Sequence, residues 1–368
     1  MTPFFSIIIP CCDVEPYVED CLQSVLDQPF QDWECLIGIE TSKDRTEEII
    51  REKTAGDSRF RIFTSPRTGS CSASRNTGTD MAQGEYVIFL DGDDTIAEGC
   101  LSRIHDKICA HPGADLYPCA IVTCNEIGGT GEIRDNYRLD SPSEMTGVEA
   151  TLYLGQLWGG NFCPMLQLTV FRRLFLVEND LKCIRGLRSQ DSEFSPRALY
   201  LAKRVVPLHD LFYLYRIRPG SVQTKAKGLV YFLKDWAIIT GSLIDFYGRV
   251  SKEPDFDPRV TPYWCSKWLS RMNIKLFHPA VVKALPRAER VETLNVILAN
   301  RFDSYCDLLK AGSIPQRIAG FWVRMFVQHP PMRGLAELFF RFYFRLTDLK
   351  KSQAAQRNGF RTRIEKEA

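Results

Sequence analysis

Phe4-Phe5-Ser6-Ile7-Ile8-Ile9 is an almost unbroken apolar run, largely β-branched, that stops at Pro10. Such a run, without polar alternation, suits a strand buried on both faces. Glu34–Ile39, Arg61–Phe63 and Glu85–Leu90 are three further candidate strands. Helical spacing fills the gaps between them. Val14, Tyr17, Val18, Cys21, Leu22, Val25 and Leu26 give one apolar face to a helix whose first turn is expected to hold Pro16. Helices are also expected near Thr46–Lys53 and over Ser70–Met81, the second ending at Gly84. Strands alternating with helices at this spacing predict a mostly parallel, doubly wound α/β sheet. Ligands of such sheets bind at the carboxyl ends of the strands. Here those ends are the loops beginning at Pro10, Glu40 and Asp91, and all three carry acidic side chains.

Beyond residue 125 the alternation weakens. Gly128, Gly129 and Gly131 mark a loop, and Thr146–Gly155 reads as a helix. Asn161–Leu168 is expected to be extended, Ser192–Ala202 helical, and Val205–Tyr215 one or two strands. After Lys227 the periodicity becomes helical, with interleaved aromatics and bases. The division expected is a catalytic α/β domain over 1–226 and a mainly helical extension over 227–368.

A net charge of +2 gives no electrostatic reason to expect a nucleic-acid partner. The thirteen cysteines include the adjacent pair Cys11 and Cys12 but no CxxC pair and no zinc-ligand spacing. Several, such as Cys21, Cys35 and Cys109, sit in apolar surroundings, as reduced, buried thiols do. No secretory leader and no apolar run of membrane-spanning length is evident, so a cytoplasmic protein is expected.

The strongest local signal is Phe89-Leu90-Asp91-Gly92-Asp93-Asp94. If the chain stays extended, Asp91 and Asp93 point the same way and offer two carboxylates to one site. Gly92 between them permits close approach of a ligand. Clustered carboxylates repel unless a cation neutralises them, and hard oxygen ligands suit Mg²⁺ or Mn²⁺, which bridge phosphates.

Four segments in order resemble the family 2 glycosyltransferases with a GT-A fold. They are Ser6–Tyr17, Gln28–Glu34, Ser74-Arg75-Asn76-Thr77-Gly78, and Gly84-Glu85-Tyr86 through Asp94. The resemblance continues in Phe171-Arg172-Arg173, Gln190-Asp191-Ser192-Glu193-Phe194 and Tyr215-Arg216-Ile217-Arg218-Pro219-Gly220-Ser221, and so covers residues 4 to 224. It implies inverting transfer of a sugar from a nucleotide diphosphate donor, UDP by preference, to a glycan or lipid-linked acceptor. It implies that Asp93 binds a divalent metal on the donor diphosphate, with Asp91 facing the ribose and the metal. Asp191 is then the general base, Pro10, Asp13, Glu40 and Arg75 line the donor site, and Arg216 and Arg218 add positive charge near the diphosphate. The resemblance also suggests a setting in bacterial surface-glycan assembly, at the cytoplasmic face of the membrane.

Several positions depart from the family pattern. Glu40 alone replaces the two aspartates usual after the second strand, Cys12 and Asp13 replace an aromatic residue and an asparagine, and Gln190 replaces an acidic residue before the base. The Glu40 and Gln190 changes also suit a degenerate transferase that binds without turnover. A haloacid-dehalogenase-type phosphatase shares the Asp91-Gly92-Asp93-Asp94-Thr95 pattern, with Asp91 as nucleophile. That motif belongs on a first strand, whereas here several strand–helix units precede it.

Between Gln316 and Ala368 there are 11 Lys/Arg against 4 Asp/Glu. Leu335, Leu338, Phe339, Phe342, Tyr343 and Leu346 recur at helical spacing among these bases. A basic amphipathic segment over 316–351 is expected to make peripheral contact with an anionic membrane.

Overall fold

The computed structural model describes residues 2–125, 130–135, 137, 140–158, 166–217, 233–265, 274–298 and 301–345. The chain divides into two compact units, Met1–Ala226 and Lys227–Ala368.

The first unit begins with β1 (Phe5–Cys11), α1 (Val18–Leu26), β2 (Trp33–Glu40), α2 (Thr46–Lys53), β3 (Phe60–Ser65), α3 (Ser72–Met81) and β4 (Tyr86–Phe89). It continues through β5 (Thr95–Ile96), α4 (Cys100–Ala110), β6 (Leu116–Pro118), β7 (Ala120–Asn125), β8 (Thr130–Arg134) and α5 (Gly147–Trp158). It closes with β9 (Thr169–Arg172), α6 (Arg173–Glu178), α7 (Asp191–Leu201) and β10 (Leu211–Ile217).

The main sheet has the order β3-β2-β1-β4-β9-β6. Its first four strands are parallel, and β9 runs antiparallel to both β4 and β6. A second sheet of four strands, β5-β10-β7-β8, lies beside it in chain order. The sheet is covered on both faces, as the continuous apolar runs require. Phe5, Ile7 and Ile9 of β1 pack in one core with Val18 and Leu22 of α1, Ile50 of α2 and Leu101 and Ile104 of α4. Ile8 packs in another with Leu154 of α5, Phe175 of α6 and Phe194 of α7. The expected mostly parallel, doubly wound sheet is therefore present.

Local expectations are corrected at several points. Pro16 lies before α1, which starts at Val18. Leu166–Leu168 forms a 3₁₀ turn, not extended chain, and 161–165 lies outside the described residues. The strand expected over Val205–Tyr215 is Leu211–Ile217, and Val205 makes only isolated bridges to Leu116 and Met145. Cys109 is exposed, although most cysteines in the described residues are buried, and those described are free thiols.

The second unit holds α8 (Leu233–Val250), α9 (Thr261–Trp264), α10 (Pro279–Ala284), α11 (Arg287–Leu298), α12 (Phe302–Ala311) and α13 (Ile314–Gln328). A last described helix, α14, spans 333–345. Ser313 and Gln316 form a reciprocal capping box at the start of α13, satisfying two backbone donors that a helix N-terminus leaves unmet. Phe277 stacks on Phe340 at 4.0 Å, and Trp322 on Phe339 at 5.4 Å. Arg287 and Arg290 both pair with Glu337, joining α11 to α14.

Candidate active site

The loop after β4 turns sharply. The Asp94 N–H donates to the Asp91 carbonyl at 3.0 Å, with Gly92 and Asp93 at the bend. The extended geometry expected for Asp91–Asp93 is thus replaced by a turn. Glycine is required at its second position. A Cβ on Gly92 would lie 2.8 Å from the Cys11 Sγ and 3.2 Å from the Pro10 carbonyl oxygen. The turn is pressed onto the end of β1.

Both oxygens of the Asp91 carboxylate are engaged. Arg75 Nη2 pairs with Oδ1, and Gln167 Nε2 donates to Oδ2 at 2.7 Å. The Arg75 side chain is 3% exposed and that of Asp91 24%. Nearby negative charge, Asp91 above all, holds the Arg75 guanidinium firmly protonated against the opposing effect of burial. Asp94 has a structural role. It is 1% exposed, and its carboxylate accepts from the Tyr213 hydroxyl and from the Arg216 N–H, each at 2.7 Å. Burial, with Asp93 and Asp91 nearby, pushes its carboxyl well above the usual range. The Tyr213 hydroxyl also accepts from the Asp91 N–H at 3.1 Å. Thus β10 holds the turn from one side, and α3 and the 166–168 turn hold it from the other.

The Ser74-Arg75-Asn76-Thr77-Gly78 segment acquires a division of labour from this geometry. Arg75 fixes Asp91. Asn76 forms a reciprocal pair with the backbone of Cys183, donating to its carbonyl and accepting from its N–H, each at 2.8 Å. Gly78 lets α3 sit on β1, since a Cβ there would come 2.5 Å from Ile8 Cγ2. The Gly186 N–H donates to Ser72 Oγ at 2.9 Å, and Gln190 Nε2 reaches Cys71 Sγ at 3.0 Å. The segment Cys183–Gln190 is therefore tied along the first turns of α3 and delivers Asp191 as the first residue of α7. Asp191 is half-buried and its Oδ1 accepts from the Ser192 N–H at 2.9 Å. A carboxylate in a helix's first turn is favoured in its charged form by the helix dipole.

The remaining predicted residues fall in two places. Pro10 pairs in register with Gly38 inside the sheet. Asp13 sits beyond β1 with φ 51°, a left-handed conformation in which aspartate is tolerated. It accepts from the Lys43 N–H at 2.7 Å and pairs with Arg67 at 2.5 Å, and Arg67 also donates to the Thr41 carbonyl. Glu40 ends β2, buried. Burial raises its carboxyl, and the Arg67 charge opposes that rise. Arg216 gives its backbone to Asp94, but its guanidinium pairs with Asp20 at 3.0 Å and lies 5.1 Å from the Tyr17 ring centre. Its side chain is thus committed to α1 and the residue before it. Arg218 lies outside the described residues.

Asp94, Tyr213, Gln167 and Arg67 were not singled out by the sequence reading. Asp94 was visible within the acidic motif. The other three contact the site only through folding, and no local pattern marks them.

Among the described residues, no group of three or more His, Cys, Asp or Glu side chains is arranged to hold a metal ion. Arg75 already offsets the Asp91 charge. Carboxylate oxygens such as those of Asp91 and Asp93 are hard donors of the kind that Mg²⁺ and Mn²⁺ take one or two at a time beside phosphate oxygens and water.

The doubly wound sheet thus carries a carboxylate turn after its fourth strand, with a second carboxylate at the start of a helix tied beside it. Residues 6–163 match the model for glycosyl transferase family 2. It is 29% identical over 225 residues to the uncharacterized glycosyltransferase EpsJ of Bacillus subtilis, covering 60% of this chain and 63% of that one. It is 26% identical to glycosyltransferase GlyA of Streptococcus pneumoniae, of which it spans 31%. A Campylobacter jejuni GalNAc(5)-diNAcBac-PP-undecaprenol β-1,3-glucosyltransferase is 25% identical over 71% of this chain and 81% of its own. The solved structure of Staphylococcus aureus TarS 1–349 superposes with a TM-score of 0.66 at 17% identity, covering 88% of each chain. That likeness shows the shared GT-A fold. The family match ends before Asp191 and Arg216, so their placement rests on the structure alone.

Proposed function

We propose that the protein transfers a sugar from a UDP-sugar to a hydroxyl of a glycan or lipid-linked acceptor, inverting the anomeric centre. One observation carries the reading. Arg75 and Asn76, neighbours on α3, tie down the Asp91 turn and the loop leading to Asp191 respectively. Two carboxylate elements far apart in sequence are thereby held to one helix. In this reading Asp191 takes the proton of the acceptor hydroxyl as its oxygen attacks the anomeric carbon. The bond to the diphosphate breaks on the opposite face, and no covalent enzyme intermediate is needed. Asp93, with Asp91 beside it, would hold Mg²⁺ or Mn²⁺, which when bound would supply positive charge against the departing diphosphate. Arg75 and Gln167 keep Asp91 in one rotamer. Glu40, buried beyond Pro10 and flanked by the Asp13–Arg67 pair, is the acceptor proposed for the imino N–H of the base.

Thermal unfolding with UDP, GDP, CDP and CMP, each with and without Mn²⁺, tests the donor. A ligand at a hundred times its Kd stabilises by about 2.7 kcal/mol. A manganese-dependent shift with UDP is expected, and Asp93→Asn should remove its metal-dependent part. A full shift in that variant excludes Asp93 as the metal carboxylate. No shift with any nucleotide favours a degenerate binding protein.

No described helix is long and apolar enough to cross a membrane. We propose that α13 and α14 instead rest on an anionic surface. Ile314, Ile318 and Phe321 of α13, and Leu335, Leu338 and Phe342 of α14, are exposed at helical spacing. Arg317, Arg324, Arg333, Arg341 and Arg345 accompany them against the single acid Glu337. Residues 346–351 of the expected segment lie outside the described residues. Sedimentation with phosphatidylglycerol vesicles is expected to capture the protein at low salt, and phosphatidylcholine vesicles to leave it in solution. Equal recovery with both lipids would reject the electrostatic surface.

A further inference from the structure

Asp135, Ser141 and His209 come together outside the carboxylate site. His209 Nδ1 lies 2.6 Å from Asp135 Oδ2, and His209 Nε2 lies 3.5 Å from Ser141 Oγ. An ionised carboxylate only accepts, so Nδ1 carries the ring proton and Nε2 of the neutral ring turns its lone pair to the serine. Asp135 is itself oriented, because its other oxygen accepts from the Tyr137 N–H at 2.9 Å. The imidazole is oriented through its backbone. His209 has φ 59°, a left-handed conformation that persists where the surroundings over-determine it. Here they do. The Leu208 N–H donates to the Pro118 carbonyl and the Ala120 N–H to the Asp210 carbonyl, each at 2.8 Å. Lys107 pairs with Asp210 and donates to the Leu208 carbonyl, each at 2.6 Å. The cluster stands just before β10, whereas the acidic turn is bound further along that strand by Tyr213 and Arg216.

A hydroxyl, an imidazole and a carboxylate in these roles are a nucleophile, its general base and the group that holds the base in one tautomer. Roles and geometry, not chain order, define such a site. The side chains of His209 and Asp135 are 19% and 21% exposed and Ser141 is half-buried, so the three are open to solvent. The Ser141–His209 separation is long for an O–H···N bond, and Ser141 Oγ is also 3.5 Å from the Pro142 carbonyl oxygen. A hydroxyl rotates freely between two such acceptors, and catalytic contacts of this kind tighten when substrate binds. We propose that Ser141, His209 and Asp135 form a second catalytic site, which hydrolyses small acyl esters. Ser141 Oγ attacks the acyl carbon as its proton passes to His209 Nε2. The ester C–O bond breaks, and the alcohol departs with that proton. Water then attacks the Ser141 ester and gives a proton to His209 Nε2, which returns it to Ser141 Oγ as the acid leaves. Ester and water become acid and alcohol, with no other reactant. Asp135 acts through His209 and is a positioning residue. An ester suits the site better than an amide, because an alcohol leaves more readily than an amine.

p-Nitrophenyl acetate and the full-length chain test this. Wild type is expected to release p-nitrophenol with an initial burst and to carry an acetyl group on the Ser141 peptide, located by mass spectrometry. Ser141→Ala should lose both. His209→Asn should slow acylation of Ser141 about a hundredfold, the scale for losing a positioned general base. Asparagine tolerates the left-handed backbone, so this variant keeps the local chain path. Asp135→Asn should also slow acylation, with Tm near that of wild type, because an amide N–H can donate to Nδ1 and leave the ring proton on Nε2. A purely structural His209–Asp135 pair gives the reverse, a lowered Tm with the acylation rate unchanged, and that result overturns the proposal. So does equal acetylation of Ser141 and the exposed Ser143, or hydrolysis by Ser141→Ala at the wild-type rate. The pair is then a brace for the chain that follows β8. The three variants change different residues, so a folding defect in one leaves the others readable, and no outcome depends on the donor reading above.

Discussion

Asp191→Asn is expected to stop sugar transfer while leaving donor binding intact. Loss of a positioned general base costs typically 10²–10⁴ in rate. The change is nearly isosteric, and an asparagine oxygen can still accept from the Ser192 N–H that Asp191 now engages at 2.9 Å. The start of α7 is fixed independently by Gln190 on Cys71 and by the Asn76–Cys183 pair, so the backbone should stay in place. What is lost is the charge that accepts a proton. Single-turnover transfer with saturating donor separates this from binding. A fall of about a hundredfold or more with unchanged donor Kd supports the assignment. A rate within threefold of wild type means that another group is the base.

Arg75→Met should destabilise the first unit by about 3 kcal/mol. Breaking a buried ion pair by removing one partner costs roughly 3–5 kcal/mol, and the 24% exposure of Asp91 argues for the lower end. The penalty arises because Asp91 keeps its charge without its counterion. The double change Arg75→Met with Asp91→Asn should therefore recover most of the loss, since replacing both charges is often near neutral. Donor binding should not recover with it, because the Asp91 carboxylate is part of the proposed site. Urea unfolding of the two single variants and the double variant measures the coupling. If Arg75→Met costs under about 1 kcal/mol, the pair is not what holds the turn.

Much of the fold was legible because its signals are local. A strand buried on both faces must be apolar throughout, so β1, β2 and β4 announce themselves as runs. The helix α1 shows its buried face, Val18, Cys21, Leu22 and Val25, as a spacing. The Asp91–Asp94 motif was legible for the same reason, as a dense acidic cluster after an apolar strand. Elements decided by distant partners were misread. The 3₁₀ turn at Leu166–Leu168 carries the apolar content of a strand, yet it is shaped by its place against β4, α7 and β10. Val205 looks like the start of a strand, but only isolated bridges reach it.

By itself, the sequence determined the alternating α/β order, the position of the acidic turn after the fourth strand and the helical character of the described residues beyond 232. Each depends on periodicity or composition within a short window. Only the tertiary structure decided how each acid is held. Asp91 is paired by Arg75 from 16 residues away and by Gln167 from 76. Asp94 is buried under Tyr213 and the Arg216 backbone, and the Arg216 side chain turns to Asp20. A carboxylate's charge, orientation and availability follow from its desolvation and its counterions. Both are supplied by residues that meet only when the sheet has closed.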